Sequence, residues 1–486
     1  MSEAIGSYVN GERVGDDAAQ LVERIDPTTG EDLAPVVIAG QSRVDSAVDA
    51  ADEAQGKWAE ISPADRAEAI WGWGDKIRAA IPELASLDAT DVGRLVSDSQ
   101  REIESAVRWT RYWAHNTDGL RGDQVPSNRE HLMYTTREPL GVFGIITPWN
   151  APSTTFVARA VAAIACGNAA VVKPSEFATR SAIRLAELAE EAGLPRGLIN
   201  VVAGDGTTGA LLAAHSGIGG ISFTGSVPTG RKVGETAGRT LKKVTLELGG
   251  KSPAIIFDDA DLEAAVNASV WGVFANAGQI CTAGTRLLVH ESVAEQVGKN
   301  IARLAAAVRV GSPFDEASHI GPLAFPRQKT RVLEYIDSGV QDGARLVVGQ
   351  DRRDGAGNFV NPAVFVDVDP ASRIAQQEIF GPVLSILPFR NEAEAIEIAN
   401  GVDYGLSATV WTRDLDRMLR LANELDVGTV YGNTPRTGDP ALAFGGTKAS
   451  GVGSAYARGA IEGATREKSV AIKFGPSAVP GWDDLG

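Results

Sequence analysis

The chain joins two α/β units at residues 243–257, which read KVTLELGGKSPAIIF. Apolar and β-branched residues on each side of the Gly-Gly pair predict two short strands, Lys243–Leu246 and Ser252–Phe257. The two glycines interrupt the run, so we expect the second unit to begin after Gly250. The sequence on each side of this junction then decides the kind of sheet.

Before the junction, short apolar runs alternate with longer helical runs rich in alanine and leucine. Predicted strands are Gly141–Ile146, Ala169–Lys173, Asn200–Ala203 and Gly220–Phe223, and predicted helices are Ser181–Ala192, Gly209–His215 and Gly230–Thr240. Because strands alternate with helices and most strands are apolar throughout, this pattern favours an α/β fold with a parallel sheet covered on both faces. Rossmann-type folds contain parallel sheets of this kind.

After the junction the alternation continues as a second α/β unit. A helix is predicted over Asp261–Asn276, and strands over Arg286–Val289, Ala344–Val348 and Leu406–Trp411.

The two ends of the chain follow other patterns. Asn10-Gly11 predicts a hairpin, and Ala64–Ile81 predicts an amphipathic helix. Residues 121–139 are interpreted as an extended excursion, and Lys468–Phe474 alternates as a strand does. This last strand has no evident partner in the sequence, so it could pair with the excursion or with another subunit.

Length, charge and cysteine content limit the function. The chain has 486 residues and a formal net charge of −16, so neither nucleic acid nor an anionic membrane is expected as its main partner. At about 150 residues per domain, the length suggests roughly three domains. No secretory signal or membrane-spanning run is recognised. Cys166 and Cys281 are the two cysteines, which fits a reducing compartment and a cytoplasmic location.

Cys281 follows Gly278 and Gln279, which interrupt the preceding helix. A thiol on such a loop can face a cleft, where backbone N–H groups stabilise developing negative charge. The alternative is a buried packing residue, and the sequence context alone favours neither interpretation. For Cys166, inside an Ala-Ile-Ala-Cys-Gly stretch, the packing role is the favoured interpretation.

Two polar residues follow predicted strands at the edge where ligands bind in parallel sheets. Glu247 is a candidate general base, although a solvated acid at a turn is the commoner reason for such a residue. Asn150, between Pro148 and Pro152, could offer an amide N–H to an oxyanion or simply form a turn.

Two further strand ends are candidates for nucleotide binding. Phe223–Gly230 places glycine and Ser226 between a strand and a helix, where backbone N–H groups can bind a pyrophosphate. Lys173 and Glu176 could both hydrogen-bond ribose hydroxyls. Ordinary strand–turn–helix boundaries would look similar. No metal-ligand spacing occurs among the histidines and cysteines, so no metal is expected.

Taken together, these segments resemble the aldehyde dehydrogenase superfamily over nearly the whole chain. The matching segments, in chain order, are Asp26–Glu31, Glu138–Val142, Pro148–Asn150, Lys173–Glu176, Phe223–Ser226, Glu247–Lys251, Cys281–Arg286, Glu378–Val383, Tyr404–Leu406 and Phe444–Gly451. Two departures are the Asp91–Leu95 segment and the region after Gly453, which lacks the family's usual Arg-Glu pair.

The resemblance implies an NAD-dependent oxidation of an aldehyde to the carboxylic acid, through a thiohemiacetal and a thioester on Cys281. It implies that Asn150 and a backbone N–H hold the oxyanion and that Glu247 activates the hydrolytic water. The implied cofactor contacts are Ile146, Thr147, Pro148, Trp149, Lys173, Ser175, Glu176, Gly206, Gly209, Phe223, Thr224, Gly225, Ser226, Leu248, Gly249, Glu378 and Phe380. Because Glu176 would repel a 2′-phosphate, we expect NAD to be preferred over NADP.

The resemblance places five residues on the aldehyde tunnel: Thr155, Ala158, Ile280, Thr282 and Arg436. Thr155 and Ala158 are small, which suggests room for a bulky aldehyde. Arg436 could meet an anionic tail, but a surface arginine is the favoured interpretation. A basic residue at Arg159 is common in the family and has a structural role there.

The family architecture implies three parts. Residues 1–120 and 140–250 would form the NAD-binding domain, residues 251–445 the catalytic domain, and residues 121–139 with 465–477 a bridging element for a homodimer or homotetramer. In that arrangement the C-terminal strand is expected to pair across a subunit interface. Two alternatives remain open: a semialdehyde dehydrogenase that acylates coenzyme A, and a catalytically silent structural oligomer. The presence of Glu247 favours hydrolysis over acylation.

Overall fold

The computed structural model describes residues 3–15, 20–127, 129–353 and 355–474. Its strands are β1 (Ser7–Val9), β2 (Glu12–Val14), β3 (Leu21–Ile25), β4 (Asp32–Val37), β5 (Gln124–Val125), β6 (His131–Pro139), β7 (Val142–Ile146), β8 (Ala169–Lys173), β9 (Ile199–Val201), β10 (Ile218–Thr224), β11 (Lys243–Glu247), β12 (Pro253–Ile256), β13 (Arg286–His290), β14 (Arg345–Val348), β15 (Ala363–Val366), β16 (Val383–Phe389), β17 (Tyr404–Gly405), β18 (Ser407–Trp411), β19 (Thr429–Gly432), β20 (Thr447–Lys448), β21 (Gly451–Val452) and β22 (Thr465–Lys473).

The helices alternate with these strands. They are α1 (Gln41–Glu60), α2 (Pro63–Ala79), α3 (Ile81–Val92), α4 (Val96–His115), α5 (Pro152–Ala165), α6 (Thr179–Glu191), α7 (Gly206–Ala214), α8 (Val227–Arg239), α9 (Leu262–Phe274), α10 (Glu291–Ala306), α11 (Pro326–Gln341), α12 (Arg373–Gln376), α13 (Glu392–Asn400), α14 (Leu415–Glu424) and α15 (Ala457–Ala464). None of those in the described residues combines the length and apolarity that a membrane crossing requires.

The first sheet has the strand order β2-β1-β9-β8-β7-β10-β11-β21. Its five central strands, from β9 to β11, are parallel, which confirms the sheet predicted from the alternating pattern. The strands are apolar because helices α1, α5, α6, α7 and α8 pack against them. The predicted hairpin closes at Asn10 and Gly11, whose φ values of 50° and 76° suit a two-residue turn between β1 and β2.

The second sheet has the order β14-β15-β16-β13-β12-β18-β19 and a separate hydrophobic core. Its strands are parallel except at one edge, where β14 runs antiparallel to β15. The chain then returns to the first sheet, because β21 pairs with β11 and places Gly451 opposite Glu247. The end of the second unit therefore lies beside a predicted catalytic residue.

The C-terminal strand β22 pairs antiparallel with β6 over its full length, from Thr465 opposite Pro139 to Lys473 opposite His131. Of the two partners left open by the sequence, the excursion within the same chain is the one observed, and β5 completes a three-stranded sheet. The expected pairing of this strand across a subunit interface is therefore wrong for its β6-facing edge. Residues 475–477 of the predicted bridging element lie outside the described residues.

Candidate active site

Four strand ends of the first sheet place their last residues in one row. Ile146 on β7 lies opposite Lys173 on β8 and Phe223 on β10, and Thr224 lies opposite Glu247 on β11. Parallel strands in register bring their carboxyl ends to the same edge, where open α/β sheets bind ligands. We call this edge, together with Glu378 and Phe380, the cofactor side.

The start of α8 offers unpaired backbone donors at this edge. Ser226 is its N-cap, but its side chain makes no capping bond and instead donates from Oγ to Thr229 Oγ1 at 3.0 Å. The first N–H groups of a helix carry partial positive charge, so an uncapped start suits a pyrophosphate. A Cβ on Gly225 would lie 2.6 Å from the Phe223 ring, which explains the glycine before the cap.

Lys173 and Glu176, both predicted to bind a ribose, lie next to each other at the end of β8. Lys173 Nζ lies 3.6 Å from Glu176 Oε2, and Ser175 Oγ donates to the same oxygen at 3.4 Å. Burial lowers the pKa of Lys173, although the Glu176 charge opposes this shift. On α7, Gly206 and Gly209 leave open space next to this pair, since a Cβ on Gly209 would make only ordinary contacts with Ile146 and Lys173.

Glu378 closes the other end of the cofactor side. Its Oε1 accepts from the Gly250 N–H at 3.1 Å, and its carboxylate fills the place where Gly249 would carry a Cβ. Burial raises the pKa of Glu378 to about 7. Phe380 has a φ of 61° and its ring lies 5.4 Å from that of Trp149. Uncapped donors at one end and carboxylates that can accept from hydroxyls elsewhere fit a dinucleotide with two riboses.

The nucleophile loop begins with a left-handed turn. Helix α9 ends at Phe274, so the predicted helix to Asn276 is two residues too long. Asn276, Ala277 and Gly278 follow with φ values of 51°, 52° and 74°. Such backbone costs of order 1–3 kcal/mol per non-glycine residue and persists where surrounding contacts impose it. The turn reverses the chain and carries Cys281 toward the first sheet.

A hydrogen-bond network fixes Asn150 on this loop. Asn150 Nδ2 donates to the Gln279 carbonyl at 2.9 Å, which leaves its second N–H available. The Asn150 carbonyl accepts from Arg94 Nη1 at 2.7 Å and from Asn276 Nδ2 at 3.1 Å. Sequence reasoning missed Arg94 and Asn276 as supporting residues. The departure at Asp91–Leu95 was the signal for Arg94, while Asn276 had none beyond its nearness to Cys281.

The two cysteines have different surroundings. Cys166 is 1% exposed in the core of the first unit, which confirms the packing role, whereas Cys281 is half-exposed. Burial raises the pKa of Cys281 to about 12, and the Glu378 and Glu247 charges raise it further. The Arg436 charge and a backbone N–H at Thr282 act in the opposite direction. Cys281 therefore rests as a thiol that needs a base.

Glu247 is buried without a partner. It is 3% exposed, and neither carboxylate oxygen has a hydrogen-bond partner among the residues that the structure describes. Burial raises its pKa to about 8, against the opposing effects of the Arg159 charge and of the nearby Ala455 backbone N–H. Arg159 itself is held by the Ala455 carbonyl at 3.1 Å and lies over the Tyr456 ring at 4.9 Å, consistent with a structural role. An unsatisfied buried carboxylate beside a thiol is a candidate general base.

Five residues were predicted to line the aldehyde tunnel: Thr155, Ala158, Ile280, Thr282 and Arg436. We use the name substrate side for these five together with three aromatic residues that the sequence did not single out, Trp271, Tyr431 and Tyr456. Thr155, Ile280 and Thr282 are half-buried, whereas Ala158 is buried. Arg436 is not the surface arginine favoured from the sequence, because it is half-buried and its guanidinium lies 4.8 Å from the Trp271 ring centre. Among the described residues, no group of three or more His, Cys, Asp or Glu side chains could hold a metal ion.

Comparison with known proteins shows which family this chain is similar to. The model of the aldehyde dehydrogenase family matches residues 14–470. A betaine aldehyde dehydrogenase of Cereibacter sphaeroides is 40% identical over 478 residues, which cover 98% of this chain and 99% of that protein. The NAD+ complex of an aldehyde dehydrogenase from Bacillus cereus superposes with a TM-score of 0.95 at 39% identity, covering 97% of each chain. An E. coli NADP-dependent enzyme superposes with a TM-score of 0.94 at 32% identity, covering 97% of this chain and 98% of that one.

Proposed function

The chain belongs to the aldehyde dehydrogenase family and oxidises aldehydes to carboxylic acids, and on that premise we propose that Cys281, Glu247 and Asn150 carry out the reaction. One observation carries the proposal. The left-handed turn before Cys281 and the Asn150–Gln279 bond hold the thiol loop at the strand-end edge, where Glu247 is the last residue of β11. The three groups therefore meet beside a crevice that fits NAD.

In the first half of the reaction the Cys281 thiol loses its proton and its sulfur bonds to the aldehyde carbon. This proton passes to solvent, so Glu247 stays free to accept a proton from water in the hydrolytic step. The aldehyde oxygen becomes an oxyanion, which the second N–H of Asn150 and the Cys281 backbone N–H can hold. That backbone N–H makes no hydrogen bond within the described part of the chain. Donors fixed before the charge develops lower the barrier.

When NAD is bound, it supplies the acceptor for the hydride that leaves the thiohemiacetal. The Cys281 sulfur then carries the acyl group as a thioester. Glu247 removes a proton from water, the hydroxide attacks the thioester carbon, and the acid leaves as the Cys281 thiol is restored. The buried position of Glu247 keeps its pKa near the working pH, which suits a general base.

A Glu247→Gln variant separates the two halves. It should still release a rapid burst of NADH, close to one per active site, because the thiol proton does not go to Glu247. It should then turn over slowly because water is no longer activated. Stopped-flow absorbance at 340 nm measures both phases, and Cys281→Ala is the control that should show neither. Unchanged steady-state turnover in Glu247→Gln contradicts the role given to this carboxylate.

We also infer that NAD is preferred over NADP. Glu176 lies beside Lys173 at the end of β8, and its carboxylate can accept from a ribose 2′-hydroxyl but repels a 2′-phosphate. The test is steady-state kinetics with both cofactors at a fixed aldehyde concentration. A higher kcat/KM with NADP contradicts the preference. In Glu176→Gln, the values of kcat/KM with NAD and with NADP should lie closer together than in the wild type.

The domain division and assembly complete the proposal. Residues 1–120 and 140–250 form the cofactor domain, 251–445 the catalytic domain, and β5, β6 and β22 a bridging sheet. β22 pairs with β6 along one edge and is largely exposed, so its other edge can meet a second subunit in a homodimer or homotetramer. Sedimentation analysis tests the assembly. Since Cys281 must stay a thiol, we place the enzyme in a reducing compartment such as the cytoplasm.

The substrate named for the Cereibacter sphaeroides relative is not transferred to this chain. Betaine aldehyde carries a quaternary ammonium group, whereas the substrate side here contains Arg436. Two positive charges at close range repel each other.

A further inference from the structure

Arg436 lies on the irregular segment 433–446, between β19 and β20, and its guanidinium rests on the indole of Trp271. Trp271 stands three residues before the end of α9, the helix that leads into the nucleophile loop. Arg436 is therefore anchored to the helix that leads to Cys281, although Arg436 and Cys281 are 155 residues apart in the chain. Its charge is near enough to Cys281 to lower the pKa of the thiol.

This arginine has no anionic partner. Within residues 3–15, 20–127, 129–353 and 355–474, no hydrogen bond or ion pair engages its guanidinium. The carboxylate that interacts with it most strongly, Glu102, is already paired with Arg94 at 2.5 Å. A half-buried cation without a partner costs free energy, so it marks a place where an anion would be stabilised.

Aromatic rings surround the same region. Tyr456 packs against Trp109 with ring centres 4.0 Å apart and against Phe444 at 5.4 Å. Tyr431 and Tyr456 both lie near Cys281, whose negative charge would raise the pKa of each phenol. These rings offer apolar surface to a planar body. The charge next to them is that of Arg436, since Glu102 is already paired with Arg94.

On the basis of the function proposed above, we propose that Arg436 selects aldehydes that carry a carboxylate at the far end of an apolar, ring-sized spacer. The aldehyde carbon lies at Cys281, the spacer lies among the aromatic rings, and the carboxylate pairs with the guanidinium that rests on Trp271. A neutral aldehyde of the same size is accepted less well because the guanidinium stays unpaired. A cationic one is rejected by charge repulsion.

Three para-substituted benzaldehydes test the proposal, because they share a spacer and differ in terminal charge: 4-formylbenzoate, its methyl ester, and 4-(trimethylammonio)benzaldehyde. In the wild-type enzyme kcat/KM should fall in that order. Arg436→Gln should lose at least about tenfold on the carboxylate while the ester changes less than about threefold. Arg436→Glu should reverse the order in favour of the cation, and Arg436→Lys should keep part of the original preference.

Arg111→Gln is the matched control, since Arg111 also lies over a tryptophan, Trp71, at 3.5 Å. It makes the same change in net charge elsewhere and should leave all three substrates unchanged. Activity on the neutral ester shows that each variant is folded. Equal kcat/KM for carboxylate and ester in the wild type, or an equal loss on both in Arg436→Gln, overturns the proposal. Those two results overturn only the selection by Arg436, because the enzyme still oxidises aldehydes. The proposed function fails if the wild type forms no NADH with these three substrates or with a broad panel of other aldehydes.

Discussion

The cofactor side and the substrate side of Cys281 are built in different ways. The cofactor side consists of the ends of parallel strands, whose register fixes Ile146, Lys173 and Glu247 at one edge of the sheet. The substrate side depends on the irregular segment 433–446 and on side-chain contacts such as that of Arg436 with Trp271. The chemistry is therefore tied to the sheet, while the choice of substrate is tied to a segment that can change without disturbing it.

This difference has a physical origin in strand register. Shifting β11 by one residue would turn the Glu247 side chain to the other face of the sheet. Few sequences therefore preserve the register that this edge requires. Segment 433–446 forms no comparable ladder, and its contacts are specified by packing alone. The cofactor side should therefore respond to substitution with large losses of activity, and the substrate side with smaller changes that differ between substrates.

The largest expected effect separates the two cysteines. Cys281→Ala should lower kcat at least about a thousandfold, because no other group can form the thioester. Cys166→Ala, in the core, should keep kcat within about twofold and lower only the melting temperature. Aldehyde-dependent NADH formation and a thermal melt measure the two effects. If Cys281→Ala retained turnover, Cys281 would not be the nucleophile.

The next effect tests the oxyanion donor. Asn150→Ala should lower kcat about a hundredfold to a thousandfold, the usual loss for one such donor. The variant also loses the bond to the Gln279 carbonyl, so the position of the thiol must be checked separately. Labelling of Cys281 by iodoacetamide at the wild-type rate shows that the loop is intact. A loss smaller than about fivefold with normal labelling contradicts the donor role.

These two residues also show what the sequence could predict. Asn150 and Glu247 follow predicted strands, so the alternation of strands and helices was enough to predict them at the ligand-binding edge. The family resemblance supplied the roles of these two residues and of Cys281. Arg94 and Asn276 could not be found in this way, because their contacts with the Asn150 carbonyl join positions 56 and 126 residues apart. Arg436 was misjudged for the same reason, since its burial against Trp271 is a tertiary contact.

The third prediction concerns pH and the cofactor side. Burial raises the pKa of Glu247 to about 8, so at pH 7 most of the enzyme holds this carboxyl protonated and unable to accept a proton from water. Steady-state turnover limited by thioester hydrolysis should therefore rise about tenfold between pH 7 and pH 9. The Glu247→Gln variant should lose this rise. A flat profile in the wild type would show that hydrolysis does not limit turnover or that the carboxyl is already ionised.

The smallest effect belongs to the substrate side and concerns the support of Arg436. A cation–π contact at a partly exposed site contributes about 0.5–1 kcal/mol, which corresponds to roughly two- to fivefold in affinity. Trp271→Leu should therefore raise the KM for 4-formylbenzoate by that factor, because the guanidinium loses its anchor and must be ordered by the substrate. The KM for the methyl ester and the kcat for both should stay unchanged, since the loop holding Cys281 is fixed by Asn150 and Gln279.

Trp71→Leu removes the comparable contact with Arg111 and serves as the control, with no change in either KM. An equal rise for ester and carboxylate would mean that Trp271 contributes apolar contact rather than support for a charge, and the substrate side would then discriminate by shape alone.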